Sequence, residues 1–246
     1  MSTVWMLCMV LCAGTGDWQA RMDAAQKDYD VTAAQAVADE LRKEAGPQAT
    51  PEMRLLFLKS LLLTVEQIRV QYETMQQDGA DRGDRRVLAD KMDALAEEGL
   101  KVADGLGEVS EAYRIRADFY ALKIRSKYQG KKYRNKMENS AEKALQLDPK
   151  NAFAYVSVAR PYLFAGPLQG GDVKKAMGLL DKALALDPNL LSARMMRAVG
   201  YAKQDDKARC EAEWAKIVAE NPKTAQSKKT MEIAGKVWEE GDGPSE

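Results

Sequence analysis

The sequence predicts an all-α fold in which about five helix pairs stack along a line into an α-α superhelix, closed by a C-terminal capping helix. Three observations carry this reading. Ala, Leu, Lys, Glu, Gln, Arg and Met dominate and aromatic residues are only 7%, the composition that loses least on entering a helix. The segment AEKALQLDPKN, ending at Asn151, returns 39 residues later as LDKALALDPNL. Finally, Pro149, Pro188 and Pro222 are spaced by 39 and 34 residues, and the same three positions before each proline carry packing residues. These are Met137, Ala141 and Ala144, then Ala176, Leu180 and Ala183, then Cys210, Trp214 and Ile217. Steps of four and three residues keep each trio on one face of a helix. A proline cannot continue the helix, so each seam ends there.

The chain starts with an apolar run, VWMLCMVLCAG, that contains Cys8 and Cys12. It is too short to span a bilayer and has the length of a signal-peptide core, with small residues after it. Residues 1–16 are therefore expected to be a signal-peptide-like or disordered leader, which points to an exported, periplasmic protein. The alternative is a docked or frayed N-terminus in a cytoplasmic one. No Lys or Arg precedes the run, and Cys12 follows Leu11 rather than a small residue, so no lipid-attachment pattern is convincing. With the leader removed, Cys210 is the sole thiol, which makes neither an intrachain disulfide nor a zinc site.

Residues 17–240 are read as the repeat domain. The first pair, about 17 to 46, carries Ala34, Ala38 and Leu41 in the seam before Gly46-Pro47. The second, about 50 to 105, opens on TPEMRLLFLKSLLLTVEQIRVQYETMQQDG, an uninterrupted helix of about 29 residues and about 44 Å. Thr50 is its N-cap, and Pro51 sits where the first turn tolerates proline. Lys59 and Glu66 make LLFLKSLLLTV a buried core helix rather than a membrane span. Met92, Ala96 and Gly99 form the seam of its partner helix. The third pair, 110 to 149, and the fourth, 152 to 188, each begin with a helix carrying a small alanine between aromatics. The third has Tyr113, Ala117 and Tyr120; the fourth has Tyr155, Val158, Ala159 and Tyr162. The fifth, 190 to 222, keeps Ala198 and Tyr201. A last helix, about 223 to 240, has Met231, Ala234 and Trp238 on one face and charge elsewhere, as a cap requires. Residues 241–246 form a disordered tail.

Charge and chemistry narrow the function class. Lys plus Arg and Asp plus Glu each number 37, and there is no histidine. Balanced charge offers no general attraction to nucleic acid or an anionic membrane. Without histidine the usual general base, the commonest metal ligand and every Ser-His or Cys-His nucleophile are gone. The acidic clusters MDALAEEG and VWEEGDG read as exposed faces rather than as two acids across a cleft. No catalytic residue, cofactor or metal is expected, and the chain reads as a non-enzyme. Two stretches compete for other roles. In RPYLFAGPLQGGDVKKAM, glycines, prolines and a helix-capping Asp172 make either a loop lining a pocket near Arg160, Tyr162 and Phe164 or a long capped inter-helix turn. The nine Lys and Arg residues from Arg114 to Lys136 make either a stripe for an acidic partner or single-stranded nucleic acid, or the solvated side of a helical hairpin. Whole-chain neutrality argues against nucleic acid.

The paired-helix signature of large, small and aromatic residues on the first helix, and of the seam ending in proline on the second, resembles the tetratricopeptide repeat family. More narrowly, the stretch from a Leu-Phe-Ala helix end through Gly-Gly-Asp to Leu-Asp-Pro is similar to exported bacterial tetratricopeptide proteins, including lipoproteins associated with TRAP-type transporters. The resemblance implies a superhelix whose concave groove is lined by the first helix of each pair. On this chain the matching positions are Phe153, Val156, Arg160, Leu163 and Phe164 in the fourth pair, then Ser192, Met195 and Val199 in the fifth. So apolar a surface is expected to bind an apolar or amphipathic protein segment, or to be filled by the terminal helix. The leading expectation is an exported protein-protein interaction scaffold without catalysis. The alternative is an extracytoplasmic transporter component that binds a small hydrophobic ligand and a periplasmic partner. Neither places a transmembrane span in the mature chain.

Overall fold

The computed structural model describes residues 17–28, 30–46 and 48–220. The leader 1–16, Pro47, the capping helix expected at 223–240 and the tail 241–246 lie outside the described residues. Among the described residues ten α-helices follow in order: α1 over 17–28, α2 Val31–Glu44, α3 Pro51–Gln77, α4 Arg82–Asp104, α5 Ser110–Leu122, α6 Lys127–Leu147, α7 Ala152–Phe164, α8 Val173–Leu186, α9 Leu191–Lys203 and α10 Lys207–Glu220. They fall into the five pairs that the prolines and seams predict. No strand occurs among the described residues. No described helix is long and apolar enough to cross a membrane. The chain divides into two compact units, residues 1–108 with 118–133 and residues 109–117 with 134–246.

In the first unit α3 packs against both α2 and α4. The α2 seam, Ala34, Ala38 and Leu41, and the α4 seam, Met92, Ala96 and Gly99, are all buried. Between them run Leu58, Leu61, Leu62, Val65 and Ile68 of α3. This helix is enclosed on most sides, so its buried polar residues must find partners internally. Ser60 and Thr64 donate back to the carbonyls of Phe57 and Ser60 at 2.7 and 2.8 Å. Gln67 donates to the Ala25 carbonyl at 2.9 Å, tying α3 to α1. Thr50 caps α3 by accepting from the Met53 N–H, with Pro51 in the first turn, as the sequence predicts.

In the second unit α8 lies between α7 and α9, and α9 packs in turn on α10. Eight of the nine seam residues before the three prolines are buried and Trp214 is half-buried. The Leu-Asp-Pro repeat has one geometry at both sites. Asp148 and Asp187 close their helices with N–H bonds to Ala144 and Ala183 at 3.0 and 2.9 Å. Their carboxylates then accept from the N–H groups of Lys150 and Asn189 at 2.9 and 3.0 Å. The first helix of the following pair reaches back over each turn. Tyr155 donates to the Pro149 carbonyl at 3.2 Å, and Arg194 to the Pro188 carbonyl at 2.7 Å. The proline sets the direction of the chain, and the aspartate satisfies the amide exposed by the turn.

Candidate functional site

Helix α7 is apolar nearly all round, and Ala154, Val156, Ser157, Val158, Ala159, Pro161 and Leu163 are buried. Asn151 caps it, accepting from the Ala154 N–H at 3.1 Å and donating to Ser110 Oγ at 3.0 Å. At about 100° per residue, Phe153, Arg160 and Phe164 fall within about 40° of one line along this helix, spanning about 16 Å. Phe153 is 46% exposed, Phe164 54% exposed and Arg160 half-buried. The guanidinium of Arg114, on α5, lies over the Phe153 ring at 5.4 Å. Glu111 pairs with that guanidinium at 2.5 Å. The outward strip is thus two phenyl rings with the half-buried Arg160 between them, and the buried Arg114 guanidinium supports the Phe153 ring from beneath.

Val156 and Leu163 correct the expected groove, being 3% and 0% exposed within the core of α7, α8 and α9. They lie about 60 to 80° round the helix from the phenylalanine line, far enough to turn them from the surface into the packing. On α9, Val199 is half-buried and packs against the same core. Met195 and Ser192 are half-buried, and the buried Ser192 Oγ has no hydrogen-bond partner among the described residues. Sequence reasoning missed Arg114 as the buried support of the Phe153 ring and grouped it with the basic stripe. Its signal was its place on the first helix of the preceding pair.

The Gly-Gly-Asp segment is a closed turn. Pro167–Gln169 form a single turn of 3₁₀ helix, and Gly170 follows at φ +81°. The N–H groups of Gly170, Gly171 and Asp172 donate to the carbonyls of Pro167, Gly166 and Tyr162 at 3.1, 2.9 and 2.9 Å. A Cβ on Gly171 would lie 1.9 Å from the Ala165 carbonyl oxygen, so only glycine fits there. Asp172 then caps α8, accepting from the Lys175 N–H at 2.9 Å. Lys175 donates to the Tyr162 hydroxyl at 2.7 Å, and that bond holds its ammonium above the usual lysine value. Leu168, 98% exposed, stands at the tip of this turn. The hydrogen bonds answer to the capped inter-helix turn of the two sequence readings.

The basic stripe is largely neutralised by neighbours. In the first unit Lys123 pairs with Glu97 at 3.1 Å and Arg125 with Asp93 at 2.5 Å. In the second, Arg134 pairs with Glu138 at 2.7 Å. Tyr120 is spent on packing, stacked on Tyr133 at 6.1 Å between ring centres. Among the described residues no group of three or more Cys, Asp and Glu is placed to hold a metal. Two open clefts, of about 280 and 350 Å³, occur in the first unit.

No family model matches the chain, and no curated protein does either. Among solved structures, a thermophilic TPR protein of Thermus thermophilus superposes with a TM-score of 0.57 at 17% identity, over 86% of this chain and 95% of that one. At that identity the likeness shows the fold: the chain is an all-α array of helix pairs of the tetratricopeptide kind.

Proposed function

We propose that the protein is a non-catalytic interaction scaffold that binds an amphipathic protein segment on the outward strip of α7, with Met195 and Ser192 of the adjacent α9 contributing. The observation that carries this is the exposure of Phe153 and Phe164 on one line of a helix whose other large side chains are buried or half-buried. Leaving each phenyl ring half in water forgoes about 1 kcal/mol of burial, and a partner that covers the strip recovers it. Arg160, half-buried on the same line, adds positive charge beside the rings, which suits a partner helix carrying acidic residues next to its apolar face. The apolar run near residues 4 to 14 supports export as the finer reading. N-terminal sequencing of the mature protein tests it, since retention of Met1 through Gly14 excludes a cleaved leader.

In the second reading, an extracytoplasmic transporter component, the same strip meets a periplasmic partner and a small hydrophobic ligand occupies an enclosed chamber. The exposure of Phe153 and Phe164 favours the protein-binding reading. The experiment is affinity capture from the source organism with wild-type chain and with Phe153→Asp plus Phe164→Asp as baits. Loss of specific partners from the variant, at unchanged helicity, is expected. Equal recovery of every protein by both baits overturns the proposal.

A further inference from the structure

A second surface, in the first unit, bears on a different chemistry. The chain reverses between α3 and α4 through Gly79, at φ +70°, and the Ala80 N–H closes the turn onto the Met75 carbonyl at 2.9 Å. This brings Tyr72 of α3 beside the first turns of α4. Tyr72, Arg82, Arg85, Arg86 and Ala89 line an open cleft of about 280 Å³, with no carboxylate in its walls. The spacing i, i+3, i+4, i+7 places the three arginines and Ala89 on one face of α4, within an arc of about 100°. Asp84 falls on the opposite face. The N-cap Asp81 is turned back on the helix, accepting the Gly83 N–H at 2.6 Å.

Three arginines in that place are an unfavourable arrangement in the free protein. They repel one another and sit at the positive end of the helix dipole, where anions rather than cations are stabilised. Arg86 has only a loose exposed pair with Asp90 at 3.8 Å. The side chains of Arg82 and Arg85 have no ion pair or hydrogen bond with any described residue, and the Nε of Arg85 is buried without a partner. A shielded guanidinium N–H without an acceptor is costly, and a bound oxyanion removes that cost together with the mutual repulsion.

We infer that this cleft binds a small molecule carrying a multiply charged phosphate oxyanion, with Arg82 and Arg85 as its principal ligands and the Tyr72 hydroxyl as a further donor. Isothermal titration of the full chain with pyrophosphate tests this. Saturable one-to-one binding is expected, weakened about tenfold or more in Arg82→Gln plus Arg85→Gln and to a lesser extent in Arg85→Lys, which keeps the charge but loses the planar fork. Lys174→Gln plus Lys182→Gln, two exposed lysines of the second unit, removes the same charge elsewhere and should leave the affinity unchanged. Absence of saturation, or equal weakening by the two double variants, overturns the inference. So does binding to phosphatidic acid vesicles without binding to pyrophosphate, because it assigns the arginines to a lipid surface. All the substituted side chains are exposed or half-buried, and unchanged ellipticity confirms that folding is intact.

Discussion

Replacing glycine by alanine in the middle of a helix normally stabilises it by about 1 kcal/mol, because alanine loses less backbone freedom. Gly99 of α4 and Gly178 of α8 both sit inside helices, so propensity alone predicts the same gain at both. The packing predicts opposite signs. A Cβ on Gly178 meets nothing within 4 Å. A Cβ on Gly99 falls 2.3 Å from Cε2 and 2.4 Å from Cζ of Phe119, more than 1 Å inside van der Waals contact. Phe119 is among the largest fully buried side chains, so its ring has no solvent to swing into. Overpacking of this kind costs about 1–3 kcal/mol, which outweighs the propensity gain. Gly178→Ala is therefore expected to stabilise by about 0.5–1 kcal/mol and Gly99→Ala to destabilise by about 1–2 kcal/mol. Urea denaturation followed by far-ultraviolet ellipticity reads both, as shifts of the midpoint at constant slope. If Gly99→Ala raised the midpoint as Gly178→Ala does, α4 would not meet α5 at this seam.

Three further outcomes follow from the same contacts. Glu213, buried on α10, accepts from Arg197 at 2.6 Å and has Lys216 at 3.4 Å and Arg194 at 3.7 Å; Glu213→Ala removes this shared buried acceptor while Arg197 keeps Asp181 and Arg194 keeps the Pro188 carbonyl, so it is expected to cost about 1–3 kcal/mol, and a midpoint within experimental error of wild type would show that the cluster contributes nothing. Cys210 is buried, and burial pushes its thiol up against a smaller opposing hydrogen bond involving Trp214, so a brief iodoacetamide pulse at pH 8 followed by peptide mapping should leave it unmodified in the folded chain and alkylate it in urea; rapid native labelling would contradict the packing of α10. The Arg209 side chain and backbone N–H bond to Asp206 at 2.5 and 3.0 Å and hold its carboxyl below the usual aspartate range. A depressed folded value means that the contribution is present above about pH 4 and lost as pH falls through the folded value. The stability difference between wild type and Asp206→Asn should therefore shrink from pH 7 to acid, and a difference that grows on acidification would reverse the assignment.

The candidate strip was only partly legible. Of the positions taken from the family pattern, Phe153 and Phe164 are exposed. Val156 and Leu163 are buried instead, because the pattern marks a band of the helix surface whereas exposure depends on how far α8 and α9 close over its edge. Arg114 entered only through its contact with Phe153, a pair 39 residues apart that no local pattern connects. The arginine face of α4 has helical spacing that can be read from the sequence. That Arg82 and Arg85 lack carboxylate partners among the described residues cannot, because Asp78, Asp81, Asp84 and Asp90 lie among them along the chain.

What the sequence determined by itself is the set of helices, their pairing and their seams. Helical period, proline stops and the capping residues Thr50 and Asp172 are local chemistry and act wherever the segment lies. The tertiary structure alone decided which apolar side chains are used up in packing and which cations go unpaired. Those outcomes depend on distances between groups remote in sequence, and burial and Coulomb energy change steeply over a few ångströms.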